Sequence, residues 1–136
     1  MSARNAKRET PVSVSPLLAA PGRVHLTTIG ARTGADRTVP LRGHPHGDGL
    51  VIVASNWGGP RNPGWYHNLR AHPDVRVAID GRGIAMRARV ARGAERERLF
   101  AAVKATAPQF GAYARKTKRT IPVVVLEPVG AARETK

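Results

Sequence analysis

Two short segments of this 136-residue chain gather residue types able to do chemistry. In GARTGADRTVP, a glycine-bounded loop exposes backbone N–H groups, Arg32 and Arg37 supply cations, and Thr33 and Thr38 supply hydroxyls. That set suits a phosphate cradle, and it equally suits an ordinary basic hairpin loop. In GWYHNL, Trp65 and Tyr66 stand beside His67 and Asn68, in a chain with only two each of Phe, Trp and Tyr. An aromatic wall with one placed amide is what a planar, partly polar ligand needs; the alternative is that both aromatics are core.

Other chemistries fit the residues poorly. The histidines of HPH at 44–46 and the pair His67 and His72 lack acidic partners at ligand spacing, and five residues turn a pair off a shared helix face, so no metal is expected. GARTG lacks the lysine and spacing of a P-loop, and no G-x-S-x-G elbow occurs. With no cysteine, disulfides, zinc–cysteine sites and thiol nucleophiles are excluded, and a reducing cytoplasm is the expected compartment. No apolar run approaches the roughly 20 residues that span a bilayer, and Met1–Pro21 lacks the apolar stretch of a secretory signal.

The net charge of +14, from 23 Lys and Arg against 9 Asp and Glu, points to an anionic partner. Arginine dominates it, and its planar fork binds phosphate or carboxylate bidentately. Polynucleotide, anionic lipid and a polyanionic small molecule all fit that chemistry. A single-strand binder, however, interleaves aromatics with its cations, and the Asp74–Val90 segment holds no aromatic, so no specific nucleic acid is expected.

The elements that must position these residues follow from periodicity. Residues 1–22 read as a mobile basic arm, 23–129 as one folded domain and 130–136 as a loose tail. VHLTT reads as a strand feeding the GARTGADR loop, TVPLRGHP as a second strand, HGDG as a hairpin turn, and LVIVAS as a strand buried on both faces. Asn62-Pro63 and His72-Pro73 bracket a helix over 64–71. Val75, Val77 and Ile79 alternate with polar residues, and the alternation resumes at Ile84, which predicts a hairpin; a loop at Gly81-Arg82 would pair Ile79 with Ile84 and Val77 with Met86. GAERERLFAAVKATAP reads as a helix with Leu99, Phe100 and Val103 on one stripe, a second short helix carries Phe110 and Tyr113, and IPVVVLEP is a buried strand. The fold class expected is mainly β (α+β), an antiparallel barrel of about six strands with two or three short helices outside it.

LTTIGARTGADRTVPL, VIVASNWGGPRNPGWYHNLRAHPDVRV and RTIPVVVLEP, in this order, resemble the deazaflavin-dependent nitroreductase family over roughly Val24–Pro128. Family members use coenzyme F420, a deazaflavin with a phosphate and an oligoglutamate tail, on a split β-barrel of the flavin-reductase type. The resemblance implies that Ala31, Arg32, Thr33 and Arg37 hold phosphate and tail, and that Thr38, Val39, Pro40 and Leu41 supply backbone contacts. Ala54, Ser55 and Asn56 would lie near the ring, with Trp65, His67 and Asn68 beside it. Ser55 and Tyr113 become the catalytic candidates, and Trp57, Phe110 and Tyr113 line the substrate side; Trp57 stands where the family has glycine. The implied function is hydride transfer from reduced F420 to a quinone-like, nitroaromatic or other activated acceptor, without a metal. The implied setting is the cytoplasm, with contact to anionic membrane at its inner face and a monomer or homodimer. The alternatives are a related barrel that binds a lipid or other apolar anion without redox activity, or a nucleic-acid-binding barrel.

Overall fold

The computed structural model describes Val14 and residues 17–129. Six strands, β1 (Gly22–Ile29), β2 (Asp36–His46), β3 (Gly49–Val53), β4 (Asp74–Ile79), β5 (Arg82–Val90) and β6 (Val123–Pro128), close into an antiparallel barrel in the order β1-β2-β3-β6-β5-β4. Three helices accompany it: α1 (Gly64–Ala71), α2 (Gly93–Thr106) and α3 (Gln109–Lys116).

Strand alternation divides the apolar residues into two cores. Leu50 and Ile52 of β3 and Val124 and Leu126 of β6 point into the barrel with Val24, Leu26, Val77 and Met86. Val51, Val53, Val123 and Val125 point outward, where Leu99, Phe100 and Val103 of α2 and Phe110 of α3 cover them. The unbroken apolar runs thus mark the two strands with cover on both faces. α1 differs from α2 and α3, because its Tyr66 and Leu69 join the inner core.

The β4–β5 register departs from the expected one. Ile79 pairs with Arg82, Val77 with Ile84 and Val75 with Met86, so Asp80-Gly81 is the two-residue loop. Both loop residues have positive φ, 50° and 79°, as a primed turn requires, and Asp-Gly meets that demand more cheaply than Gly-Arg. The shift of two residues preserves each side chain's face but sets Asp74 opposite Arg87, which it meets at 2.9 Å. Arg89 likewise takes Glu95 bidentately at 2.8 and 2.9 Å. The outward arginines of this hairpin are therefore partly neutralised by side chains of the same surface.

Residues 1–13, 15, 16 and 130–136 of the expected arm and tail lie outside the described residues. Within the stretch assigned to the arm, Val14 is fully buried in the inner core and Leu17 and Leu18 pack against it.

His44 of β2 faces outward under α3, with its ring edge-on to Phe110 at 5.9 Å. It is 6% exposed, and neither ring nitrogen has a hydrogen-bond partner among the described residues. Burial, and then the charge of Arg42, hold its pKa at about 4, so it is neutral at physiological pH. The unfolded chain binds this proton near pH 6.5 and the folded one only near pH 4. Stability is therefore expected to fall as pH drops through that window, by up to about 1.4 kcal/mol per pH unit. Urea midpoints measured from pH 7 to 4 should show this slope in the wild type and a shallower one in His44→Leu; equal slopes would disprove the assignment.

Candidate active site

β2 pairs with β1 along Asp36–Gly43, but with β3 only at His44–His46. Among the described residues no strand takes the other edge of the 36–43 stretch. The barrel is split there, and a cleft of about 970 Å³ opens beside that edge. Its remaining walls are the exit of β3, the start of α1 and the N-terminal turns of α3.

Each wall has a local cause. Pro63 is extended at the N-terminus of α1 and His72 is extended before Pro73, so the helix has only the eight residues between them. Two turns suffice to turn Tyr66 and Leu69 inward while half-buried Trp65 and Asn68 line the cleft. The two aromatics thus divide the roles: Tyr66 is core and Trp65 is a cleft wall. Asn68 is committed at both ends of its amide, since Oδ1 accepts the Ala31 N–H at 2.9 Å and Nδ2 donates to Thr28 Oγ1 at 3.1 Å. It ties α1 to β1 and fixes the Thr28 hydroxyl, another lining residue.

Beyond Val53 the chain turns sharply. Asn56, Trp57 and Gly58 have φ of 46°, 54° and 79°, three left-handed residues in succession of which only one is glycine. Such a backbone costs about 1 kcal/mol or more at each non-glycine residue, so neighbours must hold it. The Asn56 amide donates to Arg61 O at 3.0 Å, and Lys116 Nζ reaches Trp57 O at 3.4 Å. Gly58 abuts the backbone of Tyr113, where a Cβ would lie 2.9 Å from the carbonyl oxygen. The turn leaves the Trp57 side chain 72% exposed at the cleft.

The structure brings together Arg37, Val39, Pro40, Leu41, Ser55, Asn56, Trp57, Trp65, Asn68, Phe110 and Tyr113 of the expected site. Phe110 and Tyr113 meet edge to face at 5.6 Å on the α3 side. Six expected residues are not among the lining. Ala31, Arg32 and Thr33 sit on the exposed loop joining β1 to β2, where Thr33 Oγ1 accepts the Ala35 N–H at 3.1 Å. Thr38 shares a hydroxyl hydrogen bond with Thr27 at 2.7 Å. Ala54 is buried in the inner core, and exposed His67 packs edge-on to Tyr66. The amide of Asn68, expected beside a ring, serves the protein's own Ala31 and Thr28.

Sequence reasoning missed Arg42, Asn62 and Gln109 in the lining, which also includes Arg61, the alternative holder of the tail should Arg32 not serve. It also missed Arg119, which lies behind the lining. Arg119 donates from Nε to Gly59 O at 3.0 Å, from Nη1 to Ala54 O at 3.2 Å and to Asn62 Oδ1, and from Nη2 to Ser55 O at 2.7 Å. Burial lowers its pKa, but a guanidinium in proteins stays protonated. Nothing local marked it, since in RKTKR it is one cation among four. Among the described residues no group of three or more His, Asp or Glu is placed to hold a metal ion.

Arginines, an open strand edge and an aromatic wall around one cleft are the equipment for a planar anion. Comparison with known proteins agrees. Residues 2–128 match the family described as F420H(2)-dependent quinone reductase. The chain is 40% identical over 110 residues to an F420H(2)-dependent quinone reductase of Mycobacterium tuberculosis, covering 79% of this chain and 74% of that one. The solved structure of an F420-H2 dependent reductase superposes with a TM-score of 0.71 at 36% identity, over 77% of this chain and 93% of that one. A chain solved as a domain-swapped dimer is similar to the same degree, with a TM-score of 0.71 at 36% identity over 77% of this chain and 79% of that one. With its split six-stranded barrel and cationic, aromatic-walled cleft, this chain belongs to the F420H(2)-dependent quinone reductase family of oxidoreductases.

Proposed function

We propose that the cleft holds reduced coenzyme F420 and that the protein reduces a quinone-like or other activated acceptor there. The observation that carries this reading is the juxtaposition around one cleft of a cationic open edge, the Trp65 wall, Ser55, and the Phe110–Tyr113 pair. The residues fit the group: a cleft of about 970 Å³ is at the large end of small-molecule sites, which run to roughly 1,000 Å³. Arg37, Arg42 and Arg61 would take the phosphate and carboxylates of the tail, with Arg32 extending the cationic rim from the exposed loop and the Thr33 hydroxyl beside it. The unpaired edge of β2 between Arg37 and Arg42 offers backbone hydrogen-bonding groups, except at Pro40, which has no N–H.

When bound, the reduced deazaflavin supplies the hydride. The protein's part is to bind, to orient one face and to exclude water. Trp65 and the aliphatic side chains of Val39 and Leu41 form the apolar surface for the ring. The Ser55 hydroxyl or the Tyr113 phenol would hydrogen-bond an acceptor oxygen as charge develops on it, a polarising role that requires no ionisation. Trp57 and Phe110 narrow the side from which an acceptor enters.

The similarity to a domain-swapped dimer supports a homodimer in solution, which the mass measured by light scattering during gel filtration decides. Among the described residues no helix is long and apolar enough to cross a membrane. We place the enzyme in the cytoplasm, where its positive charge would favour the anionic inner face of the membrane when the quinone is lipid-borne.

Fluorescence titration tests the cofactor. F420 is expected to bind more tightly than FMN, whose tail lacks the oligoglutamate that the arginines would hold. Tighter FMN binding, or no binding of either below roughly 0.1 mM, about 5 to 6 kcal/mol, would reject the reading.

A further inference from the structure

We propose that Arg119 is a positioning residue for the reaction: it fixes the turn leaving β3, residues 54–62, as the rigid wall against which cofactor and acceptor are aligned. The inference rests on the reading of the cleft as the hydride-transfer site.

The β3–β6 ladder ends at Val53 and Val123, and the last backbone bond beyond it runs from Ala54 N to Pro122 O. The carbonyls of Ala54, Ser55 and Gly59 lie beyond this ladder. Arg119, 57 to 65 residues further along the chain, collects all three and the Asn62 side chain with one guanidinium. Only a planar fork with five N–H donors satisfies four acceptors spread around one side chain; a lysine has three donors at a single point.

The object being held is the strained one. Asn56 and Trp57 are left-handed without being glycine, and the Ser55 carbonyl that accepts from Arg119 at 2.7 Å also accepts the Gly58 N–H at 2.8 Å. Releasing Arg119 therefore loosens the turn that presents Ser55, Asn56 and Trp57 to the cleft. Arg119 also lies three residues beyond α3, which carries Phe110 and Tyr113. One side chain thereby links the acceptor side of the cleft to the end of β3, although Arg119 itself is not among the lining residues.

Hydrogen exchange tests the turn without any cofactor. In Arg119→Lys and Arg119→Ala, the Gly58 and Gly59 amides, which donate to Ser55 O and Asn56 O, are expected to exchange at least about tenfold faster. The Ala91 amide, which donates to Val123 O in the barrel wall, should keep its wild-type rate. Turnover with reduced F420 and menadione at saturation should fall at least about tenfold, because small misplacements of reacting groups are expensive. F420 affinity should fall less than turnover does, since Arg37 and Arg42 on β2 lie outside the loosened turn. Millimolar guanidinium should restore part of the turnover of Arg119→Ala and none of that of Arg119→Lys, whose side chain fills the site. If the alanine variant does not fold, the lysine variant carries the test. A lysine variant with wild-type exchange and turnover overturns the proposal, as does faster exchange at Ala91 and throughout the barrel, which would make Arg119 a residue of the fold. A wild-type protein without F420-dependent turnover would instead reject the functional reading, while the exchange comparison still reports on the turn.

Discussion

Replacing Gly49 with alanine is expected to destabilise the barrel by at least about 3 kcal/mol, because of the described glycines it is the one with the tightest backbone approach. Gly49 opens β3 and pairs with His46, while the next residue, Leu50, pairs with Leu126 of β6. A Cβ at Gly49 would overlap the Leu126 carbonyl oxygen and lie 3.1 Å from its carbonyl carbon. The obstacle is backbone and cannot rotate away, so β3 and β6 would have to separate at a seam that closes the barrel. Gly47 provides the control. Its φ of +59° disfavours any side chain, but nothing lies within 4 Å of its Cβ position, so Gly47→Ala should cost only about 1 kcal/mol. Urea midpoints of the two variants decide the matter, and a Gly49→Ala protein as stable as Gly47→Ala would show that β6 does not approach β3 so closely.

The second large effect concerns binding. Arg37→Ala and Arg61→Ala are each expected to weaken F420 affinity about tenfold, roughly 1.4 kcal/mol for one lost charge-assisted contact. If the two act independently, the double variant loses about a hundredfold. Turnover at saturation should change little, because contacts to a tail remote from the reacting atoms are equally strong in the ground and transition states. The two arginines approach the cleft from different elements, Arg37 from β2 and Arg61 from the loop before α1. Arg32→Ala, on the exposed loop outside the lining, should lose less than either. Titrations of the four variants suffice, and an Arg32→Ala loss exceeding that of Arg37→Ala would move the tail to the β1–β2 loop.

Where backbone chemistry is local, the sequence is readable. The limits of α1 were legible because Pro63 and Pro73 act on their immediate neighbours, and the helix runs over the expected Gly64–Ala71. β3 and β6 were legible as doubly covered strands because unbroken apolar runs have no solvated face to offer. The β4–β5 hairpin shows the boundary of this reasoning. Both candidate loops put Val75, Val77 and Ile79 on one face, since a shift of two residues preserves the face, and the hydrophobic pattern therefore cannot choose between them. The choice fell to Asp80 and Gly81, the pair able to take positive φ at both positions.

The cleft was legible as an inventory and not as an arrangement. Trp65, Ser55, Arg37 and Tyr113 could be named from short motifs, but which side chains face the cleft depends on how far β2 stays paired with β3, and no local rule gives that distance. Thr33 and Asn68 had the right chemistry for a ligand, and in the fold their polar atoms are used on the backbone of Ala35, the backbone of Ala31 and the hydroxyl of Thr28.

The sequence by itself determined the strand and helix segments, the apolar faces, the excess of arginine and the family resemblance, because each depends on residues within a few positions of one another or on composition. The tertiary structure alone decided the hairpin's partner pairs, the close approach of β6 to Gly49, the split beside β2 and the four-acceptor grip of Arg119. Those depend on groups tens of residues apart being brought within hydrogen-bonding or van der Waals distance, and the interactions that reward such approaches exist only once the barrel has closed.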